Sequence, residues 1–329
     1  MTTSYYSAED ADTALLQTKR LAFIGYGNQG AAQSQNLRDS GVSEILIGNR
    51  DDEYKDAAIA DGFQVVPIAE AVAWGDVVFL LIPDEVQPQV FRDQIGPNLK
   101  PGATLVVASG YNVAFQLFDL PGSIDVIMVA PRMIGSGVRQ RYLRGEPYPC
   151  FISVEQDTSG NAIMIAKSIA YGIGATRGVI FSSAREEAAL DLFSEQAVWP
   201  FIMAAFRAAY QVLHEAGFSD EAILNEMYLS KEPAEVFDRI AQVGLFEQLP
   251  LHSHTSQYGQ LRALLAEDGS WLYEKFKRVL EDDILSGRFA LEWSDVQAKG
   301  MERLEYMRAT ALESDLAKAD KKVRQKIEQ

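Results

Sequence analysis

The stretch Leu21-Ala-Phe-Ile-Gly-Tyr-Gly-Asn-Gln-Gly30 constrains this chain more than any other. A short apolar run, LAFI, enters glycines spaced GxGxxG, and AAQSQNLRDSG continues as a predicted helix. Gly25 permits the tight turn, Gly27 lets backbone approach a pyrophosphate, and Gly30 lets the helix pack close to the strand. The helix N-terminus then faces the anion. Such glycines can also serve a purely structural turn. Here a strand precedes them, a helix follows, and ILIGNRDDE comes next. That context makes Gly25, Tyr26, Gly27, Asn28, Gln29 and Gly30 the expected lip of a dinucleotide site.

The remaining composition narrows the class. A chain of 329 residues is long enough for two domains with cores of their own. A formal charge of -16 argues against a nucleic-acid or acidic-membrane surface. The single cysteine, Cys150, excludes an internal disulfide framework and fits a reducing compartment, so a cytoplasmic location is expected. Neither a membrane-length apolar run nor a signal-peptide pattern is expected at MTTSYYSAEDAD. The partner implied is a small-molecule substrate.

From residue 21 the pattern alternates strand and helix. Strands are expected at 21–25, 43–49, 76–82, 103–109, 125–131 and 150–155, and the near-continuous apolar runs suit parallel strands covered on both faces. Helices are expected to start near Gln29, Asp52, Ile68 and Val86, the last after Asp84, with another over 159–174 leading into 175–183. Leu15 and Leu16 should tuck against this first domain. After residue 183 the chain reads as all-helical, with Ser219 or Asp220 as a cap and a terminal KADKKVRQKIEQ expected to fray. The expected division is 1–183, an α/β domain with a Rossmann-type parallel sheet, and 184–329, an all-helical domain whose apolar helices must bury surface somewhere.

Asn49-Arg50-Asp51-Asp52-Glu53 ends strand two, where the adenosine ribose is read. Three consecutive acids repel a 2'-phosphate and accept from a free 2'-hydroxyl, favouring NAD(H) over NADP(H). Arg50 pulls the other way, able to grip a phosphate or stack on adenine. The acids also suit the first turn of a helix, with no cofactor role. Ile82, Pro83, Asp84 and Gln87 of LLIPDEVQ, with Ser109 and Gly110 of ASGYN, complete the expected cofactor set at the carboxyl ends of strands. Arg132 and Arg139, beyond strand five, are natural clamps for a carboxylate or phosphate.

In the helical half, Asp191 and Glu195 share a helix face, an oxygen pair suited to Mg2+, although such pairs are common on solvated helices. The apolar surroundings of LDLFSEQAVWPFIMAAF strengthen the site reading. Glu232, beside Lys231, is the weaker third candidate. His214 reads as structural, and His252 and His254 as a binding loop rather than a metal pair.

In order along the chain, SYYSAEDADTALLQTKRLAFIGYGNQG, LLIPDEVQ, ASGYN, APR, VEQDTSG, EEAALDLFSEQAV, TSQYG and ILSGRFALEW resemble the short, class I ketol-acid reductoisomerases over 5–310. The resemblance implies NADPH or NADH, two Mg2+ ions, and reduction with rearrangement of acetohydroxy acids. It also implies a knotted helical domain, like that of 6-phosphogluconate dehydrogenase, that dimerises by interlocking. Asp191 and Glu195 match the family's metal-binding aspartate and glutamate. Of two further glutamates supplied by the partner subunit, the second aligns with Glu232 and the first falls on Tyr228.

Other departures touch the chemistry. Ser109 stands where the family has a histidine proton relay, and Arg132 where it has lysine. Trp199 begins a bulky replacement of small residues. Leu251 replaces a substrate-binding serine, although Ser253 matches. The expected substrate contacts are therefore Arg132, Trp199, Tyr228, Leu251 and Ser253, and the catalytic set is Asp191, Glu195, Glu232 and Ser109. The leading expectation is a nicotinamide-dependent oxidoreductase acting, in either direction, on a C=O or C=N group of a small, carboxylated, even cyclic, metabolite without alkyl migration. Such an imine-reductase-like role suits specialised metabolism. The alternatives are an Mg2+-dependent reductoisomerase acting on acetolactate and a non-catalytic nucleotide-binding protein.

Overall fold

The computed structural model describes residues 5–327. Nine strands form one sheet: β1 (Tyr5–Tyr6), β2 (Leu21–Ile24), β3 (Ile45–Gly48), β4 (Gln64–Val66), β5 (Val77–Leu80), β6 (Thr104–Val107), β7 (Asp125–Pro131), β8 (Cys150–Gln156) and β9 (Val179–Phe181). Their order is β1-β9-β8-β7-β6-β5-β2-β3-β4. The run from β4 to β7 is parallel throughout and is the doubly wound arrangement. The order reverses between β2 and β5, which opens a crevice at their carboxyl ends.

Two expectations about the sheet are corrected. Pairing of β8 with β7 is antiparallel; an apolar run covered on both faces reads the same in either direction. β4 was not anticipated, because three residues between the Asp61-Gly62 turn and Pro67 are too few to show a period. The expected helices appear at Asn28–Asp39, Glu53–Ala60, Ile68–Trp74, Gln87–Val90 and Ala162–Gly172. Leu16 is buried in the core cluster and Leu15 packs on it.

Contacts divide the chain into compact units at Met1–Asp191 and Leu192–Gln329. The division falls inside the helix Ala184–Phe193, later than the 183/184 boundary read from composition. The second unit is helical, from Trp199–Glu215 to Asp315–Ile327. Ser219 caps its helix by accepting from the Ala222 amide. The terminal segment does not fray as expected over the described residues. It is helical to Ile327, and Ala319 and Val323 pack against Tyr210, Ile223 and Leu224. Most of its charges are exposed, while Ala319 and Val323, one helical turn apart, face inward. Helices of this unit pass through π-type turns at Ser194–Val198, Asn225–Leu229 and Val279–Leu285. Such bulges often mark functional positions, and two of these contain Glu195 and Tyr228.

Candidate active site

β2 delivers the chain into the glycine loop, and the geometry there requires glycine twice. Gly25 has φ +96, and a Cβ on it would lie 2.7 Å from the Ile82 Cγ2 atom. A Cβ on Gly30 would lie 2.1 Å from the Gly25 carbonyl oxygen, so the helix can approach only without one. Nothing lies within 4 Å of the corresponding position on Gly27, which leaves its face open. The loop is braced from behind. Tyr26, buried, donates its hydroxyl to Asp61 (2.7 Å), and Gln29 donates to the Met133 carbonyl (3.0 Å).

In front of the loop is a cavity of about 750 Å3. Gly25, Tyr26, Gly27, Asn28 and Gln29 line its centre; Asn49, Arg50 and Asp52 lie toward one end; Ile82, Pro83, Asp84, Gln87 and Ser109 lie toward the other. This order follows the strands. The end of β3 marks the adenosine side, and the ends of β5 and β6 mark the nicotinamide side. On the adenosine side Asp52 caps the helix that follows, accepting from the Tyr54 and Lys55 amides, and also takes Asn49 Nδ2 (2.8 Å) and Arg50 Nε (2.6 Å). Asp51 is exposed and pairs with Lys55 (2.6 Å). The capping reading of these acids thus accounts for Asp52.

The nicotinamide side is polar and interlocked. Gln87 Nε2 donates to the Ile82 carbonyl (2.8 Å) and to Asp84 Oδ1 (3.1 Å), while Asn112 Nδ2 donates to the Asp84 carbonyl and to Gln87 Oε1 (2.9 Å). Asn112 Oδ1 and the Tyr111 hydroxyl are buried without protein partners.

Beyond this end lies a charge cluster within the first unit. The guanidinium of Arg132, after β7, forks between Glu187 and Asp191 on the helix Ala184–Phe193; the Asp191 contact is 2.7 Å. Glu187, 2 % exposed, also accepts from the Gly110 amide at 2.7 Å. Burial raises its carboxyl, while the Gly110 amide and Arg132 pull it back. Burial opposes the charge on Arg132, but Glu187 and Asp191 outweigh it and raise the guanidinium above its ordinary value. Glu187 was not singled out in the sequence. Its signal was its place four residues before Asp191 and eight before Glu195, on one helical face. Arg139 is engaged elsewhere, with Asp39 (2.7 Å) and Asn36 (2.8 Å).

The second unit holds the other candidates. Glu195 is exposed at its π-type turn, and Glu232 is exposed at the start of the helix Glu232–Val243. Tyr228 donates to Asp320 (2.9 Å) and lies tilted beside Phe206, and burial first, then Asp320, pushes its hydroxyl up to about 12. Trp199 lies beside Phe237, Leu251 is exposed, and Ser253 caps the helix His254–Ala266. His214 pairs with Asp220 and stacks on Tyr210. Among the described residues no three His, Cys, Asp or Glu side chains converge to hold a metal ion. Asp191 has one oxygen committed to Arg132, and Tyr228 supplies no carboxylate. The donor set in this chain therefore does not fit a two-ion Mg2+ centre, and no step below passes through one.

A doubly wound sheet with a glycine cradle at its switch point, polar side chains at the nicotinamide end and a charged cluster beyond it defines a nicotinamide-dependent oxidoreductase. Two family models match: the NADPH-binding domain of acetohydroxy acid isomeroreductase over residues 15–179, and the C-terminal domain of ketol-acid reductoisomerase over 184–329. The chain belongs to the ketol-acid reductoisomerase family. It is 42% identical over 322 residues to a putative ketol-acid reductoisomerase 3 of Saccharolobus solfataricus, covering 95% of each chain. It is 41% identical to a ketol-acid reductoisomerase (NADP(+)) of Pyrobaculum calidifontis, covering 91% of each. Its fold matches an NADH-preferring ketol-acid reductoisomerase from an uncultured archaeon with a TM-score of 0.90, at 33% identity and 98% coverage of both. It is accordingly an NAD(P)-dependent oxidoreductase acting on a small molecule.

Proposed function

We propose that the chain reduces a small, carboxylated 2-hydroxy-3-oxo acid of the acetolactate kind with rearrangement, as the names of its relatives suggest. Full-length similarity to reductoisomerases supports this alternative better than reduction without alkyl migration, the leading expectation from the residues. The observation that carries it is one unit holding both a dinucleotide cradle and, beyond its nicotinamide end, the Arg132–Glu187–Asp191 cluster. There Arg132 supplies a fixed cation for a substrate carboxylate or carbonyl oxygen. Reduction alone, of C=O or C=N, is kept as a second reading because Arg132 occupies Asp191 and Tyr228 is bonded to Asp320.

One experiment separates the readings. Acetolactate is offered with NADH or NADPH, with Mg2+ or with EDTA, and the product is read by NMR. The proposed reaction yields 2,3-dihydroxy-3-methylbutanoate. Accumulation of 2,3-dihydroxy-2-methylbutanoate, unchanged by EDTA, establishes the second reading instead.

NADH is the preferred donor in this proposal. Arg50 and Lys55 are tied to Asp52 and Asp51, and the three acids after Arg50 disfavour a 2'-phosphate. A kcat/KM higher for NADPH than for NADH would reverse it. The working form is proposed to be a homodimer with interlocked helical domains in which Glu232 crosses to the other subunit. A monomer in sedimentation that keeps full activity is the contrary outcome.

A further inference from the structure

Gln29, Gln33 and Asn36, four and then three residues apart, share one face of the helix Asn28–Asp39. Gln33 and Asn36 are fully buried. An amide in such a place loses hydration that a leucine would not miss, so what it holds matters. What this face holds is the chain beyond β7. Gln33 Nε2 donates to Gln29 Oε1 (3.0 Å), and Gln29 Nε2 donates to the Met133 carbonyl (3.0 Å). One turn further, Asn36 Oδ1 accepts from Arg139 (2.8 Å).

Met133 follows Arg132, and residues 132–134 lie between β7 and the helix Gly135–Arg144, outside both. Backbone contacts fix the two ends of this bend. The Arg132 amide donates to the Pro149 carbonyl (3.0 Å). At the other end a Cβ on Gly135 would lie 2.0 Å from the Asn28 carbonyl oxygen, so that helix begins against the glycine loop itself. Between these points the Gln29 side chain holds the bend.

Given Arg132 as the cation that meets a substrate oxygen, the reading proposed above, we infer that Gln29 and Gln33 are positioning residues for Arg132. The loop that seats the dinucleotide also sets, through two side-chain amides, where the guanidinium stands. The guanidinium lies over the Phe151 ring and is shared between Glu187 and Asp191. A substrate carboxylate competes with Asp191 for it, so those contacts alone do not fix its place; the backbone beneath does. A bidentate contact tolerates little error there, and a shift of about 1 Å is costly. Gln33 has its own part. By donating to Gln29 Oε1 it fixes the amide so that Nε2, the donor, faces the Met133 carbonyl.

The test uses the full chain with acetolactate at saturating NADH. Gln29→Leu should raise KM for acetolactate roughly 10-fold and Gln33→Leu roughly 5-fold, with kcat within about 2-fold of wild type. NADH affinity of Gln33→Leu, measured by calorimetry, should stay within about 2-fold. Arg132→Gln, which keeps a donor for Glu187 but removes the charge, should raise KM roughly 100-fold. In that background Gln29→Leu should add nothing, because no guanidinium remains to be placed. A merely structural role for Gln29 would add its full effect there, and that result overturns the inference. So does an unchanged KM in Gln29→Leu when Arg132→Gln raises it. An unchanged KM in Arg132→Gln overturns the substrate role of Arg132 and the positioning role together.

A readout without substrate keeps the strut testable if acetolactate is not turned over. Met133 packs on the core of the sheet unit, so its methyl reports whether the bend is docked. In protein carrying 13C-methyl methionine, the signal lost in Met133→Leu should be single and sharp in the wild type. It should broaden or split in Gln29→Leu and, less, in Gln33→Leu. A Met133 signal identical in all three proteins overturns the strut, whatever the substrate proves to be.

Discussion

The two units bury apolar surface in opposite ways. In the first, both faces of the sheet are sealed: Phe23 and Phe79 stack at 4.2 Å with neither exposed, and Leu21, Ile24, Ile47, Leu80 and Leu105 lie in two core clusters. In the second, the buried cluster is Tyr210, Ile223, Leu224, Ala319 and Val323, while Leu265 is 79% exposed and Leu291 75%. Scattered exposed apolar residues are ordinary, but many large ones on one helical unit are not. On the proposed homodimer, the exposed apolar residues of the helical unit are the ones a second subunit would cover. A substitution should therefore act on folding and cofactor binding in the first unit and on association in the second.

The largest effect on cofactor binding is expected at Gly30. The Cβ added in Gly30→Ala would meet a backbone oxygen rather than a flexible side chain, so strand and helix must part. Nicotinamide affinity measured by calorimetry should fall on the order of 100-fold, an overpacking cost of about 3 kcal/mol. Unchanged affinity would mean that the cradle is not the rigid element described.

Next is a matched pair. Phe79→Ala, at the centre of the sheet, should cost about 3–5 kcal/mol in denaturant unfolding. Leu265→Ser should cost roughly 0.5 kcal/mol or less in the same measurement, yet shift the sedimentation profile toward monomer and leave cofactor affinity intact. Equal costs at the two positions would remove the contrast between the units.

What was legible in the sequence follows the same divide. The strands of the first unit were readable because residues buried on both faces leave continuous apolar runs, and Gly25–Gly30 because the turn admits few alternatives. β4 was too short to carry a period, and the direction of β8 leaves no mark on its composition. At the site, Ser109 and Asp191 could be named because motifs hold them. Glu187 was passed over because glutamate in an acidic helix reads as solvated surface; only the fold shows it buried against the Gly110 amide. The π-type turns at Glu195 and Tyr228 have no signature in residue type. The terminal helix was misjudged because its charges outnumber Ala319 and Val323, which are the residues that dock.

The smallest effect tests the first unit at the end of the sheet far from the site. Asp76, just before β5, accepts from the Arg20 amide and Nε through one oxygen and from Arg20 Nη2 (2.7 Å) through the other, which Lys100 also approaches at 3.3 Å. The Arg20 side chain, followed by its amide and Lys100, outweighs burial and lowers the Asp76 carboxyl to about 2. A carboxyl depressed in the folded state stabilises above its unfolded value, near 3.9, and loses that contribution as pH falls toward the folded value. Asp76→Asn should thus cost about 1 kcal/mol at pH 7, less than the full shift because the pair is partly exposed to solvent. The difference from wild type should shrink between pH 4 and about 2. Pairs on the helical unit such as Lys299–Asp295 are solvated and one turn apart, so Asp295→Asn should show little of this pH dependence. If both variants lose the same stability over the same pH range, charge is not what distinguishes the closed edge of the sheet from the open faces of the helices.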